Sequence, residues 1–574
     1  MGKFLIGVAV GIALVLLSFL LLIVVALQFR ERPPVIADHS VLVLRLQGEL
    51  PEKPPVELPS FFGGDHAPVT VSSVWSTLDK AAADAHIQAV VVLPEGLQAG
   101  WGKLDELRMD LERFRKSGKP VFAYLRQPGT REYYVSAGAD RIWIGPSDPL
   151  MLKGLRAETM YFKKTLDKIG VSVEVEHAGK YKDFGDMFTR SDMSPETREV
   201  MTGIVDDLYG NLVSRIAAGR KKTPEEVRNI IDQGPFTAPQ AKHAGLVDEL
   251  AFEDQMWGAI KDRLKAEPVK VSFDKYRKVP LESVGLAGKS RVALVVAQGD
   301  IVRGDPSDDG GSETALTSYG FARLLRQVRD DTGIKGVVVR IDSPGGEVTA
   351  SDEIWREMNL LSKKKPLVIS MSDVAASGGY YMAMTGDPIV AYPATLTGSI
   401  GVVFGKPNLK GLYEKLGIAK DSIQRGKHAD IDSDYSGLTP DERELLKKGI
   451  DESYQDFVTK VADARRRKFG DIEPVAQGRV WLGDQAKPRG LVDELGGLDR
   501  AIELVKQKAK IPPQERVNIA VYPGRRSVLD VLMKKSSQED MLESRVRQVV
   551  GNVPLRAWLH AGFLRAMTYW VEVR

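Results

Sequence analysis

No cysteine occurs among the 574 residues, and that one absence excludes a thiol nucleophile, thiolate metal ligands and disulfides together. Histidine is scarce: there are seven, and no two form a His-x-x-x-His pair, so the spacing of a helical zinc site is missing. Neither sign of charge is in excess, with 80 Lys and Arg against 77 Asp and Glu, net +3. Without a basic block interleaved with aromatics, the chain has no nucleic-acid footprint. No metal or cofactor is expected.

What is present begins with an uncharged apolar run at residues 4–29, flanked by Lys3 and by Arg30-Glu31-Arg32. As a helix it would rise about 39 Å, enough to cross a bilayer with some tilt. A cleavable signal has a shorter apolar core and a small-residue cleavage site. The run therefore reads as an uncleaved membrane anchor; its flanking charges are too balanced to fix orientation, and if the N-terminus stays inside, residues 33–574 lie outside the cytoplasm. A chain of this length should hold two or more domains.

Strands and helices alternate after the anchor: strands at 41–46, 89–93 and 121–125, helices at 73–84 and 103–117, then long helices over 194–266. This is the pattern of parallel βα units. The order then repeats. Gln47-Gly48-Glu49-Leu50 returns as Gln298-Gly299-Asp300-Ile301, and Gly245-Leu246-Val247-Asp248-Glu249-Leu250 as Gly490-Leu491-Val492-Asp493-Glu494-Leu495. An offset of 247 separates Val90 from Val337, Tyr133 from Tyr380 and Asp140 from Asp387. Two tandem copies of one α/β domain follow, at 33–266 and 291–510, joined by a linker at 267–290. Residues 511–574 form a partly helical tail, with amphipathic stretches at 527–533 and 541–550. The tail's aromatic and basic ending fits either a membrane interface or packing on a neighbouring subunit.

The copies differ where chemistry is expected. In the second, the apolar run 366–371 leads into Ser372-Asp373-Val374-Ala375-Ala376-Ser377-Gly378-Gly379-Tyr380-Tyr381. A serine at such a strand-to-helix turn is placed to act as a nucleophile, with free backbone amides beside it. Ser343-Pro344-Gly345-Gly346 sits at a second turn. In a parallel sheet, loops at the carboxyl ends of neighbouring strands adjoin, so the amides of Gly346 and Gly378 would form an oxyanion hole. The first copy has Thr130-Arg131-Glu132 in place of Ser377-Gly378-Gly379, and Gly96-Leu97-Gln98-Ala99 in place of the other turn. It has lost both.

A serine hydroxyl needs a base. His428 lies in the polar stretch 425–430, whose turn and charged residues read as an exposed loop. The first copy offers a lysine instead: Lys182, in Gly179-Lys180-Tyr181-Lys182-Asp183, falls on Ala429 under the same offset. One copy keeps the lysine and lacks the serine; the other has the reverse. Lysine serves as a base when burial or a positive neighbour lowers its pKa. Ser399, in Thr397-Gly398-Ser399-Ile400-Gly401, reads either as a turn serine or as a partner orienting the amine.

As a set, these motifs resemble the signal peptide peptidase A (protease IV) family in its long, membrane-anchored, two-domain bacterial form. The resemblance covers nearly the whole chain. It implies an α/β fold of the Clp protease/crotonase type in both copies, a Ser/Lys dyad without histidine, and a homotetramer. Residue by residue it implies Ser377 as nucleophile, Lys182 as general base ahead of Lys180, Gly346 and Gly378 as oxyanion donors, and Ser399 bonded to the lysine. Lys182-Asp183-Phe184-Gly185 departs from the Lys-Ser-Ala the family leads one to expect, which puts an acid beside the base. The implied activity is a serine endopeptidase of the bacterial inner membrane, its catalytic domains on the periplasmic side, degrading cleaved signal peptides and other unstructured apolar segments. Competing readings are a crotonase-type acyl-CoA enzyme and a non-catalytic scaffold ring.

Overall fold

Runs of β-branched residues with apolar neighbours on both sides form buried central strands. Ile87–Leu97 and Ile334–Ser343 are the two such strands around which the copies are built. The computed structural model describes residues 33–53, 69–304, 315–524, 564–565 and 572–573. The expected anchor at 4–29 and the tail stretches 527–533 and 541–550 lie outside the described residues. Among the described residues, no helix is long and apolar enough to cross a membrane.

In the first copy, Ile87–Leu97 is flanked in parallel by Ser40–Gly48 and Val121–Leu125, and Arg141–Ile144 follows. In the second, Ile334–Ser343 lies between Ser290–Gln298 and Leu367–Ala376, with Ile389–Ala391 beyond. Helices pack on the faces of both sheets, among them Trp101–Arg115 in the first copy and its counterpart Val348–Lys364. The long helices Pro195–Arg220 and Pro440–Arg465 each start with a capping Ser or Thr followed by proline, the signature of a helix start.

One expectation needs correction. Residues 267–290 are not a linker: Val269–Ser272 pairs in parallel with Ser40–Gly48 and extends the first sheet, and Phe273 and Tyr276 are buried behind it. The tail opens on a strand. Val517–Tyr522 pairs with Ser290–Gln298 at the matching edge of the second sheet. The four residues of Val269–Ser272 are too few to read as a strand, and Val517–Tyr522, interrupted by Asn518, lacks the continuous apolar run of a central strand.

The copies are not independent. Ser172–Ala178 of the first pairs antiparallel with Val402–Asn408 of the second over seven residue pairs. Arg443 clamps this junction through Glu174 and Glu176. Ala376, Ala394, Val480 and Leu482 of the second copy join the first copy's apolar core. Near the chain's end, Leu564–Arg565 pairs antiparallel with Gly346–Glu347 and meets Val403.

Candidate active site

The strand Leu367–Ala376 runs on without a break to Ser377, longer than the 366–371 run suggests. Ser377 has φ 52 and ψ −116, and the helix Gly378–Met382 starts directly after it. A non-glycine residue held at such angles stores about 1–3 kcal/mol of strain, the kind found where a side chain is aimed by a sharp turn. The turn is pinned at both ends: the Ser377 amide donates to the Gly398 carbonyl at 2.8 Å, and its carbonyl accepts from Tyr381 N–H at 2.8 Å.

The first copy delivers the lysine. Its strand Ser172–Ala178 ends opposite Val402, and Gly179 turns the chain back at φ 109. A Cβ there would come within 2.6 Å of the Gln477 backbone, so only glycine allows this approach. Lys182 Nζ then lies 2.9 Å from Ser377 Oγ, 2.9 Å from Ser399 Oγ and 3.0 Å from the Ser399 carbonyl. Lys182, Ser377 and Ser399 are all fully buried. Serine and lysine thus meet within one chain. The Lys182 amine donates to all three of these oxygens.

Ser399 itself has φ 50, and its amide donates to Arg479 O at 2.8 Å. The loop 477–479 holds both partners: Gln477 O accepts from Tyr181 N–H at 2.7 Å, and Gly478 N–H donates to Ile400 O at 2.7 Å. Gly401 lets the lysine stem pass, since a Cβ there would sit 3.0 Å from Lys182 Cδ. Asp183, the acid beside the base, turns away; its carboxylate accepts from the Thr197 hydroxyl at the start of Pro195–Arg220, where the helix dipole favours negative charge.

The turns at Gly346 and Gly378 adjoin. A Cβ on Gly378 would lie 3.1 Å from the Gly346 amide nitrogen and 2.5 Å from Ser351 Oγ. The Gly346 loop is fastened by Ser343 Oγ donating to Gly299 O at 2.7 Å, Gly345 N–H donating to Ser343 Oγ at 3.2 Å and Ile301 N–H donating to Gly345 O at 2.8 Å. Lys180 lies at the surface beside Glu196, with Nζ 4.0 Å from its carboxylate. His428 faces Glu442 at 3.7 Å and does not join the Ser377 cluster.

In the first copy, Glu132 stands where Gly379 stands in the second. Its carboxylate accepts from Leu97 N–H at 2.6 Å and Gly129 N–H at 2.9 Å, so the loop amides there are satisfied from within. The signal was present in the sequence, as an acid at the offset position of a glycine.

Parallel β/α architecture, a strained buried serine against an amine, and two adjoining loop amides define a serine hydrolase. Residues 113–267 and 359–512, one segment in each copy, match the model of peptidase family S49. The chain is 38% identical over 488 residues to the chloroplastic serine protease SPPA of Arabidopsis thaliana, covering 84% of this chain and 71% of that one. It is 34% identical over 445 residues to Protease 4 of Salmonella typhi, covering 74% and 69%. With Protease 4 of Haemophilus influenzae it shares 28% over 565 residues, covering 92% and 90%. The chain belongs to peptidase family S49 and is a serine endopeptidase. The acyl-CoA and scaffold readings are thereby set aside.

Proposed function

We propose that this peptidase works through a Ser377/Lys182 dyad, split between the copies, and that it degrades cleaved signal peptides and other unstructured apolar peptides at the membrane. The observation that carries this is the 2.9 Å contact between Lys182 Nζ and Ser377 Oγ, with Ser399 holding the amine from its other side. Ser377 Oγ attacks the scissile carbonyl carbon while its proton passes to Lys182 Nζ. Charge developing on the carbonyl oxygen is met by the amides of Gly346 and Gly378. Collapse of the tetrahedral intermediate breaks the C–N bond, and Lys182 returns the proton to the leaving amine. A water, deprotonated by the same amine, then releases the acyl group and regenerates Ser377.

Each copy is read as a Clp protease/crotonase-type unit, and four chains as one homotetramer. Residues 4–29 would anchor the chain in the inner membrane, with the catalytic copies on the periplasmic side. A membrane-anchored peptidase suits substrates that are themselves left in the bilayer. The test is fluorophosphonate labelling of the solubilised full chain, with the tagged peptide sequenced. Modification at Ser377, abolished in Ser377→Ala together with signal-peptide digestion, is the expected result; full digestion by Ser377→Ala would rule the dyad out. Deleting residues 4–29 should move the activity out of the membrane fraction.

A further inference from the structure

The first copy contributes more than Lys182. Its helix Trp101–Arg115 sets its N-terminus on the second copy's strand Leu367–Ala376, close enough that a Cβ on Gly102 would lie 2.9 Å from Ser372 O. Asp373 caps this helix from the other copy: Gly100 N–H donates to Oδ2 at 2.9 Å and Lys103 N–H to Oδ1 at 2.7 Å. A Cβ on Gly100 would overlap that carboxylate, at 2.4 Å from Cγ. The Lys103 ammonium then reaches Asp342 Oδ2 at 2.7 Å and Asp373 Oδ2 at 3.4 Å. All three side chains are nearly excluded from solvent, 9%, 11% and 15% exposed.

The two aspartates flank an irregularity in the pairing of the central strands, just ahead of the Gly346 and Ser377 turns. Ile334–Ser343 and Leu367–Ala376 pair in regular register to Ile341 opposite Met371, and then Ser343 stands opposite Ala375. The strand leading to Ser377 therefore carries extra residues in a bulge, and bulges re-aim a chain next to active sites. Asp342 closes this bulge by accepting from Val374 N–H at 3.3 Å. It is also the residue just before Ser343-Pro344-Gly345-Gly346, and Asp373 stands shortly before Ser377. Glu52, also from the first copy, braces the same bulge through Ser372 and Arg340.

We infer that Lys103 is a positioning residue for the reaction: by joining Asp342 to Asp373 across the bulge, it sets the spacing between the Gly346 amide and Ser377. The inference rests on the reading of Ser377 as nucleophile and Gly346 as oxyanion donor. Without the ammonium, two buried carboxylates would face each other at the root of both loops, and their repulsion would push the loops apart. Burial favours the uncharged form of Lys103, but Asp342, Asp373 and Glu52 outweigh it and hold the amine protonated. Burial also raises the Asp342 pKa, which Lys103 opposes and Asp373 reinforces. In the first copy this loop has lost its own glycine pair, and its neighbouring residues now support the loops of the second.

The test uses the full chain with peptide substrate, with rates expressed per Ser377 titrated by fluorophosphonate. Lys103→Met should lower kcat per titrated site by about 10- to 100-fold, since a displacement of about 1 Å can cost 10²-fold, and leave KM within about twofold. Asp342→Asn removes charge at constant shape and should give the same kcat-selective loss to a smaller degree. It decides the matter if Lys103→Met does not fold. A merely structural role would lower Tm and the titratable fraction while kcat per site stayed within about twofold of wild type in the folded variants; that result overturns the proposal alone. Labelling of wild type at a residue other than Ser377 overturns the underlying reading, and this proposal with it.

Discussion

The backbone of Gly478 lies against that of Lys182 so closely that a Cβ on the glycine would stand 2.6 Å from both the nitrogen and the Cβ of the lysine. Gly478 also has φ 73, a conformation that other residues adopt only at a cost. Gly478→Ala should therefore push the amine off Ser377. The expected outcome is a fall in kcat/KM of about 10²-fold, with circular dichroism still showing a folded chain. Wild-type activity in this variant would mean that the position of Lys182 is not critical.

Ser399 presents two acceptors to the amine, a hydroxyl and a carbonyl. Ser399→Ala removes the hydroxyl and leaves the carbonyl. A hydrogen bond of about 1–1.5 kcal/mol corresponds to roughly a tenfold fall in kcat, with KM little changed. Steady-state kinetics on a fluorogenic peptide will check this, and a loss as complete as that of Ser377→Ala would give the hydroxyl a larger part.

Glu132 stands in the first copy where the second has Gly379. Removing its carboxylate leaves the buried amide of Leu97 and the half-buried amide of Gly129 without their acceptor. Glu132→Ala should then cost about 1–3 kcal/mol of stability, seen as a lower denaturation midpoint, while kcat per Ser377 stays the same. A fall in kcat at unchanged stability would instead tie Glu132 to catalysis.

Where the copies meet, Glu106 is fully buried and accepts from Leu498 N–H at 3.2 Å. Burial, reinforced by Asp499 and Glu52 and opposed by Arg340, raises its pKa to about 7. A carboxyl whose folded pKa lies above its unfolded value stabilises the fold at low pH and loses that contribution as pH rises through the folded value. The melting temperature of wild type should therefore fall between about pH 5 and pH 8 more steeply than that of Glu106→Gln. Parallel pH curves for the two would contradict this assignment.

The proposed reacting groups could be picked out of the sequence because a duplication makes its own comparison. Ser377 stands where the first copy has Thr130, and Lys182 where the second has Ala429, so each copy marks what the other lost. The glycines at 346 and 378 announced close approach through turn chemistry. The support of the site was not legible. Gly478, Gly100 and Lys103 act by contact between segments far apart in the chain, which leaves no period or spacing to read. The edge strand Val269–Ser272 was too short to stand out from the linker, and Val517–Tyr522, with Asn518 inside it and half-buried throughout, lacked the continuous apolar run of a central strand. His428 shows the converse: an attractive residue type whose ring faces Glu442.

The central claim is that the attacking hydroxyl and the amine that deprotonates it act as one unit, although one copy supplies each. The most direct measurement is the hydrolysis rate of a signal-peptide substrate by Lys182→Ala, set beside Ser377→Ala and His428→Ala under identical conditions. Residues that act as a unit fail together, so Lys182→Ala should be as inactive as Ser377→Ala, with His428→Ala close to wild type. Activity retained in Lys182→Ala and lost in His428→Ala would contradict the account.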